Sequence, residues 1–297
     1  MALALEDAIG QQFLLSFTGK QPSRDILEAI ERRHLGGVVM FRAKNMGSLA
    51  ELRGLTEALQ AAAAKAGRPP LLIATDQEGG QLMAIGEGTP FPGNMALGAT
   101  RDEKLAYRVG RALGRELRAV GANVDFAPVC DVNNNPDNPV VGTRSFGEDP
   151  KLVARLGAAM VRGIQAAGVA ACAKHFPGHG DTASDSHHGT PIIPHDVRRL
   201  QRVELPPFRA AVAAGVRMVM TAHIALPALD AGLDRPATLS PVVLRGLLRR
   251  RLGFEGVIVT DAMDMQAIDQ GAGLAVDAIA AVSAGVDLLL LDRKSVV

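Results

Sequence analysis

Short apolar runs recur along the chain, and most of them end on a polar residue. Seven runs are apolar almost throughout, as strands covered on both faces must be. They are GGVVMF ending at Phe41, LLIATD at Asp76, NVDFAPVCD at Asp131, VAACAKH at His175, VRMVMTAH at His223, GVIVTD at Asp261 and VDLLLLD at Asp292. The pattern predicts the strands of a parallel sheet.

The segments between these runs have helical spacing. One apolar stripe with steps of four residues consists of Leu105, Val109, Leu113 and Leu117. Side chains at this spacing lie along one face of a helix. Glycine with small neighbours, as in AAGVA and SAGVD, precedes several runs and ends a helix in the left-handed conformation. Ser240 followed by Pro241 predicts a capped helix start.

Strands that alternate with helices predict an α/β fold. Polar residues stand at the carboxyl ends of almost all the predicted strands, as if they surround one site, whereas an open sheet concentrates its site at one switch point. Residues 1–291 are therefore predicted to form one TIM-like (β/α)8 barrel. Two smaller open-sheet domains are the alternative.

The end of the chain departs from this pattern. No predicted helix follows the strand at Val286 to Leu291, so its outward-facing leucines are expected to meet water and to lower stability. We expect a barrel without its last helix. Residues 292–297, DRKSVV, match what a sequencing adapter encodes when it is read in frame, and are interpreted as a non-native tail.

Composition limits the possible partners. The chain has 297 residues, 47% of them apolar, which is enough for one large core. Lys and Arg number 32 against 31 Asp and Glu, so no basic field favours a nucleic acid or an anionic membrane. Aromatic residues make up 3% and Trp is absent, which disfavours a long stacking groove. A small ligand held by polar groups is expected.

The two cysteines, Cys130 and Cys172, lie in apolar runs and predict buried, reduced thiols rather than a disulfide. No apolar run approaches the roughly 18 residues of a membrane span. The sequence therefore indicates a cytoplasmic protein without a membrane partner. Its oligomeric state is left open.

A histidine-rich segment follows the strand predicted to end at His175. Five of the seven histidines lie between His175 and His195, among glycines and prolines that favour a shaped loop. One interpretation is a site for zinc or another divalent ion, with ligands from His175, His179, Asp181, Asp185, His187 and His188. The other is proton transfer, in which Asp185 orients His187 and stabilises its charged form. The absence of an HExxH or HxH pattern favours the second.

Asp261 stands where a predicted strand ends at the mouth of the barrel. A carboxylate at this position can attack an electrophile or stabilise a cationic centre, and capping of the next helix is the alternative. Asp264 is a nearby rival that we expect on the surface of that helix.

Two further segments offer groups that can hold a polar ligand. Asp76 precedes the Gly79–Gly80 turn and can accept hydrogen bonds from sugar hydroxyls, or can simply stabilise the turn. Arg144 can donate two parallel hydrogen bonds to a ligand, or form a salt bridge with Glu148 or Asp149.

Taken in order, these segments carry a family resemblance. DQEGG, PGNMALGAT, RSFGEDP, KHFPGHGDT followed by DSHH, MVMTAH and GVIVTDAMDM are similar to the β-N-acetylglucosaminidases of glycoside hydrolase family 3. The similarity runs from about Gly10 to Leu291, and the GHGDTxxDSH loop is specific to the N-acetylglucosaminidase branch. The resemblance implies a TIM-like barrel and a retaining mechanism that uses no metal or cofactor.

The resemblance also assigns roles residue by residue. It implies that Asp261 is the nucleophile and that His187 is the acid/base, with Asp185 as its dyad partner. The sugar in the −1 subsite is then held by Asp76, Arg144, Lys174 and His175. Many members have an arginine shortly after DQEGG, whereas this chain has Gln81 and Ala84, and a weaker grip on the sugar is expected there.

The implied activity is the exo-acting removal of terminal GlcNAc from small glycosides such as peptidoglycan fragments. A histidine acid/base becomes neutral when it gives up its proton, so phosphate could compete with water as the acceptor. A family 3 β-glucosidase is the same-family alternative, which the DSHH loop disfavours. A metal-dependent hydrolase and a non-catalytic sugar-binding protein are alternatives from other classes.

Overall fold

The computed structural model describes residues 4–183, 189–230, 233–268 and 273–292. Its strands, in chain order, are β1 Phe13–Ser16, β2 Gly37–Val39, β3 Leu72–Thr75, β4 Gln77–Gly79, β5 Leu82–Met83, β6 Val124–Asp125, β7 Ala170–Phe176, β8 Met218–Thr221, β9 Val257–Thr260 and β10 Leu289–Leu291. Eight of these form one parallel sheet in the order β10-β1-β2-β3-β6-β7-β8-β9. A parallel bridge between Val259 and Leu288 joins the two edges, so the sheet closes into a barrel.

The predicted TIM-like barrel is confirmed, and all seven predicted strands take part in it. The eighth barrel strand, β1, was not predicted. Among its four residues only Leu14 is fully buried, so β1 lacks the burial on both faces that marks the other barrel strands. β1 pairs with both β10 and β2, and it is therefore needed for closure.

Helices cover the outside of the barrel. They are α1 Leu5–Gly10, α2 Arg24–Arg33, α3 Arg42–Asn45, α4 Leu49–Lys65, α5 Asn94–Thr100, α6 Glu103–Ala119, α7 Pro150–Ala166, α8 Val197–Arg202, α9 Leu205–Ala213 and α10 Leu274–Ala284, with a π-helical segment at Val242–Arg251 between the last two. The predicted stripe on α6 is confirmed, since Val109, Leu113 and Leu117 are buried. Ser240 caps a helix as predicted, because its Oγ accepts the N–H of Val243 at 3.2 Å.

Apolar side chains form two layers. Alternate residues of the strands fill the inside of the barrel, among them Phe126, Cys172 and Met220, and the others pack outward against the helices. Both cysteines are buried free thiols, as the sequence predicts. No helix within the described ranges is long and apolar enough to cross a membrane.

The last strand corrects one expectation. Leu288 and Leu290 face the inside of the barrel, and Leu289 faces outward but is only 2% exposed. Leu289 lies in the same apolar cluster as Ala281 and Ala284 of α10, the helix that precedes the strand. The expectation that the outward-facing leucines meet water is therefore wrong for Leu289.

A candidate active site at the carboxyl ends of the strands

The carboxyl ends of the barrel strands surround a pocket of about 350 Å³. Its polar lining includes Asp76, Arg144, Lys174, His175, His179, Asp261, Asp264 and Asp292. Five residues to which the sequence assigns a role in catalysis or sugar binding thus meet in one cavity, although they come from widely separated segments: Asp76, Arg144, Lys174, His175 and Asp261. Parallel strands of a barrel all end at the same rim, which explains the convergence.

Asp261 directly follows β9, and its main chain is fixed to the neighbouring strand. Its N–H donates to the carbonyl of Thr221 at 3.2 Å, and its Oδ1 accepts the N–H of Ala262 at 2.8 Å. Burial acts to raise the pKa of Asp261, but the nearby His175, the N–H of Ala262 and the charge of Lys174 outweigh it and hold the pKa below the ordinary value. Asp261 is therefore an anion that faces the cavity.

His223 lies behind this carboxylate and was not singled out from the sequence. Its Nε2 lies 3.0 Å from the carbonyl oxygen of Ala262, which can only accept, so Nε2 carries the proton. Its Nδ1 then accepts from Oγ1 of Thr238 at 2.7 Å. Burial lowers the pKa of His223, so the ring is neutral. The position of this histidine at the end of a predicted strand is the sequence signal that could have identified it.

A buried ion-pair network forms one wall of the pocket. Lys174 Nζ lies 2.5 Å from Asp76 Oδ1 and 2.6 Å from Glu78 Oε1. Arg144 donates two bonds to Glu78, at 2.7 Å from Nη2 and 2.9 Å from Nε. The sequence suggested Glu148 or Asp149 as the alternative partner of Arg144. The partner in the structure is Glu78, which the local sequence pattern did not indicate.

The turn after Glu78 requires glycine. Gly79 and Gly80 have φ values of 87° and 64°, and a Cβ on Gly80 would lie 2.6 Å from Cα of Gly93. Asp76 and Glu78 are two residues apart in an extended segment, so their side chains point to the same side. This spacing within DQEGG is the signal that could have assigned Glu78 to the site.

Glu78 is expected to make the fold sensitive to acid. Burial alone would raise its pKa, but the charges of Lys174 and Arg144 lower it from 4.5 to about 2. A depressed folded-state pKa gives stability that is present above the unfolded-state value of about 4.5 and is lost as the pH falls through about 2. The shift corresponds to about 3 kcal/mol.

We expect Glu78→Gln to lower the melting temperature at pH 7, because a buried pair that loses one partner costs about 3 to 5 kcal/mol. The difference from the wild type should narrow as the pH falls from about 5 to 2, since Glu78 itself becomes neutral there. Thermal melts of the variant and the wild type across this pH range measure the difference in melting temperature. Glu51→Gln, which removes an exposed pair with Lys20, is the control and should change little. A constant difference at all pH values would contradict this role of Glu78.

The proposed acid/base pair cannot be placed. Asp185 and His187 lie in 184–188, outside the described residues. Before this segment, His179 lines the cavity, and after it, Thr190 donates to the carbonyl of Ala267 at 2.7 Å.

Three of the candidate metal ligands, Asp185, His187 and His188, also lie outside the described residues. Asp181, another candidate ligand, pairs with His195 and accepts from Asn134 Nδ2 at 2.9 Å. Within residues 4–183, 189–230, 233–268 and 273–292, no group of three or more His, Cys, Asp or Glu side chains is arranged to hold a metal ion.

Asp264 corrects a sequence-based expectation. It lines the pocket, and its Oδ1 accepts the N–H of Asp292 at 3.2 Å, rather than lying on a helix surface. Residues 261–268 run through turns rather than a helix, so Asp264 stays over the cavity. Asp292, assigned to the expected tail, also pairs with Lys44 at 2.7 Å.

Ala84 does not line the pocket among the described residues. It is 6% exposed, and its N–H donates to the carbonyl of Asp76 at 3.1 Å. An arginine here would have to place its charge in a packed interior. Ala84 thus lies apart from the side chains that line the pocket, and the weaker grip on the sugar stays an expectation.

We expect Ala84→Arg to lower stability by about 1 to 3 kcal/mol or more through overpacking, without any gain in activity. Leu82→Arg is the matched control, because Leu82 lies on the same hairpin, lines the pocket and is 37% exposed. Its stability should stay close to that of the wild type. Denaturant unfolding measures both variants, and equal stability of Ala84→Arg and the wild type would contradict the burial argument.

Comparisons with known proteins agree with this architecture. The family model described as Glycosyl hydrolase family 3 N terminal domain matches residues 4–297. Beta-hexosaminidase A of Pseudoalteromonas piscicida is 41% identical over 97% of this chain and 54% of its own length.

Two solved structures have the same fold. A glycoside hydrolase family 3 beta-N-acetylglucosaminidase from Paenibacillus sp. str. FPU-7 superposes with a TM-score of 0.96 at 50% identity, over 99% of this chain and 56% of that one. NagZ from Neisseria gonorrhoeae superposes with a TM-score of 0.87 at 32% identity, over 96% of this chain and 82% of that one.

The chain spans about half the length of the Pseudoalteromonas and Paenibacillus relatives, and most of the length of NagZ. The family match covers nearly all of its residues. The chain therefore belongs to glycosyl hydrolase family 3, whose N-terminal domain it contains.

Proposed function

We propose that this chain is a retaining exo-β-N-acetylglucosaminidase. The observation that carries the proposal is the anionic Asp261 at the end of β9, which shares one cavity with Asp76, Arg144, Lys174 and His175. A fixed carboxylate among hydroxyl-binding groups fits a glycosidase better than a binding module. A module that only binds sugar has no need of a nucleophile at this position.

In the first step, Asp261 attacks the anomeric carbon as the bond to the aglycone oxygen breaks. His187 donates its proton to that oxygen, and Asp185 stabilises the imidazolium before the transfer. The products are a glycosyl ester of Asp261 and the free alcohol. In the second step, His187 takes a proton from water as the water oxygen attacks the anomeric carbon, and the bond from that carbon to Asp261 breaks, which releases the sugar and the Asp261 carboxylate.

The pocket can hold one terminal sugar. Asp76 can accept from hydroxyl groups, while Lys174 and Arg144 donate to them, and the Glu78 carboxylate keeps both cations in place. Both cations are largely buried, so they contact a ligand only inside the cavity. A pocket of about 350 Å³ suits a small ligand and supports exo action.

The names of the relatives support N-acetylglucosamine as the sugar. Curated relatives at 35% to 41% identity are named beta-hexosaminidase, and NagZ from Neisseria gonorrhoeae has also been solved with N-trifluoroacetyl-D-glucosamine. We extend the proposal to small glycosides with a terminal GlcNAc, with peptidoglycan fragments as the natural class.

The test compares p-nitrophenyl GlcNAc with p-nitrophenyl glucose, each with and without EDTA. The proposal expects clear preference for the GlcNAc glycoside and no effect of EDTA. Preference for the glucoside would favour a family 3 β-glucosidase. Loss of activity with EDTA would favour a metal-dependent hydrolase, and binding without turnover would favour a sugar-binding protein.

A further inference from the structure

A second buried carboxylate lies next to the pocket and has no part in the mechanism proposed above. Asp131 follows β6 and is completely buried. Its Oδ2 lies 2.7 Å from Nδ1 of His175, and its Oδ1 accepts the N–H of His179 at 2.7 Å. The N–H of His175 points at both oxygens, at 3.2 and 3.3 Å. One carboxylate thus holds both the ring and the main chain of His175.

Asp131 is charged despite its burial. Burial acts to raise its pKa, but the neighbouring His175 and His179 and the N–H bonds lower it below the ordinary value. A carboxylate can only accept hydrogen bonds, so Nδ1 of His175 must carry the proton. In the neutral ring, Nε2 is then an unprotonated acceptor. His175 lines the pocket, which leaves Nε2 as the ring nitrogen available to a ligand.

We propose that Asp131 is a positioning residue that acts through His175. It fixes the Nδ1-protonated form and the orientation of the ring, so that Nε2 accepts a hydrogen bond from a hydroxyl of the sugar bound beside Asp261. The expected effect of Asp131 on activity rests on the proposed glycosidase function. The expected position of the proton on the ring of His175 does not depend on that function.

Asparagine at this position tests the inference because it has one acceptor instead of two. The main-chain N–H of His179 points at Oδ1 alone, at 2.7 Å, and the N–H of His175 is shared between Oδ1 and Oδ2. The amide oxygen is expected to turn to them, so that the NH2 group faces Nδ1 of His175. An NH2 group donates, so the proton of the ring moves to Nε2, and the pocket gains a donor where it had an acceptor.

The closing experiment has a kinetic arm and a spectroscopic arm. The kinetic arm measures kcat/KM for p-nitrophenyl GlcNAc in the wild type, Asp131→Asn, His175→Ala and the double variant. Loss of a residue that orients a functional histidine typically costs about 10- to 100-fold. We expect Asp131→Asn to cost this much in the wild-type background and less than about twofold in the His175→Ala background. The same loss in both backgrounds would overturn the proposal, because Asp131 would then act independently of His175.

The spectroscopic arm reads the protonation of His175 from the ¹⁵N chemical shifts of its ring. In the neutral ring of the wild type, Nδ1 should be protonated and Nε2 unprotonated, and Asp131→Asn should reverse this. His223 is an internal control, since its Nε2 proton is fixed by the carbonyl of Ala262. Asp230→Asn is the matched variant, because it also removes a buried carboxylate, one that pairs with Arg235, and should leave His175 unchanged.

The two arms separate this inference from the proposed function. In one outcome, the wild type lacks glycosidase activity and still carries the proton of neutral His175 on Nδ1, with the proton moving to Nε2 in Asp131→Asn. That result would overturn the proposed function and keep the role of Asp131. A neutral His175 that carries its proton on Nε2 in the wild type would overturn the inference whatever the activity. If Asp131→Asn does not fold, the wild-type spectrum alone therefore decides which ring nitrogen of His175 carries the proton.

Discussion

Asp261→Asn is expected to lower kcat for p-nitrophenyl GlcNAc by at least about 10⁴-fold, because an amide cannot form the glycosyl ester. The amide has nearly the same shape, and its oxygen can still accept the N–H of Ala262. The sugar-binding groups Asp76 and Lys174 are untouched. Binding of GlcNAc, measured by calorimetry, should therefore stay within a few-fold of the wild type.

Asp264→Asn is the control for this prediction. Asp264 lines the same pocket and follows the same strand, three residues after Asp261. We expect it to keep most of the wild-type kcat. A larger loss in Asp264→Asn than in Asp261→Asn would move the nucleophile to Asp264.

His187→Ala is expected to show an effect that depends on the leaving group. Alkyl glycosides need protonation of the leaving oxygen, so they should slow by about 10²- to 10⁴-fold, as is typical for loss of a general acid. Activated phenols need little protonation and should lose far less in the first step. A series of GlcNAc glycosides with leaving groups of increasing pKa measures how steeply the rate falls with leaving-group pKa. This slope should be steeper in the variant.

His188→Ala, which changes the adjacent residue, is the matched control and should keep the wild-type slope. Equal losses of His187→Ala on good and poor leaving groups would contradict the acid/base role. A stoichiometric metal ion in the purified protein would favour the metal interpretation of the same loop.

The sequence predicted the barrel because its strands are buried on both faces and so appear as apolar runs. It missed β1, whose four residues include only one fully buried side chain. The meeting of polar residues from several strand ends could be predicted, because closure of a parallel sheet brings all carboxyl ends to one rim. Asp76, Lys174 and Asp261 reach the pocket for that reason.

The partners of the site residues were not predictable from local patterns. Glu78 and Arg144 are 66 residues apart, and Asp131 and His175 are 44 apart, so each pair forms only when the barrel closes. Local reasoning offered Glu148 or Asp149 for Arg144 and was wrong. It also placed Asp264 on a helix, because the turns within residues 261–268 leave no clear signal in the sequence.

Covalent trapping directly tests whether Asp261 is the nucleophile. The wild-type chain is incubated with 5-fluoro-N-acetylglucosaminyl fluoride, which forms the glycosyl ester and then hydrolyses slowly, and is analysed by intact-protein and peptide mass spectrometry. We expect one sugar per chain, attached to the peptide that contains Asp261. An adduct on Asp264 or Asp76, or turnover of p-nitrophenyl GlcNAc without any adduct, would contradict this expectation.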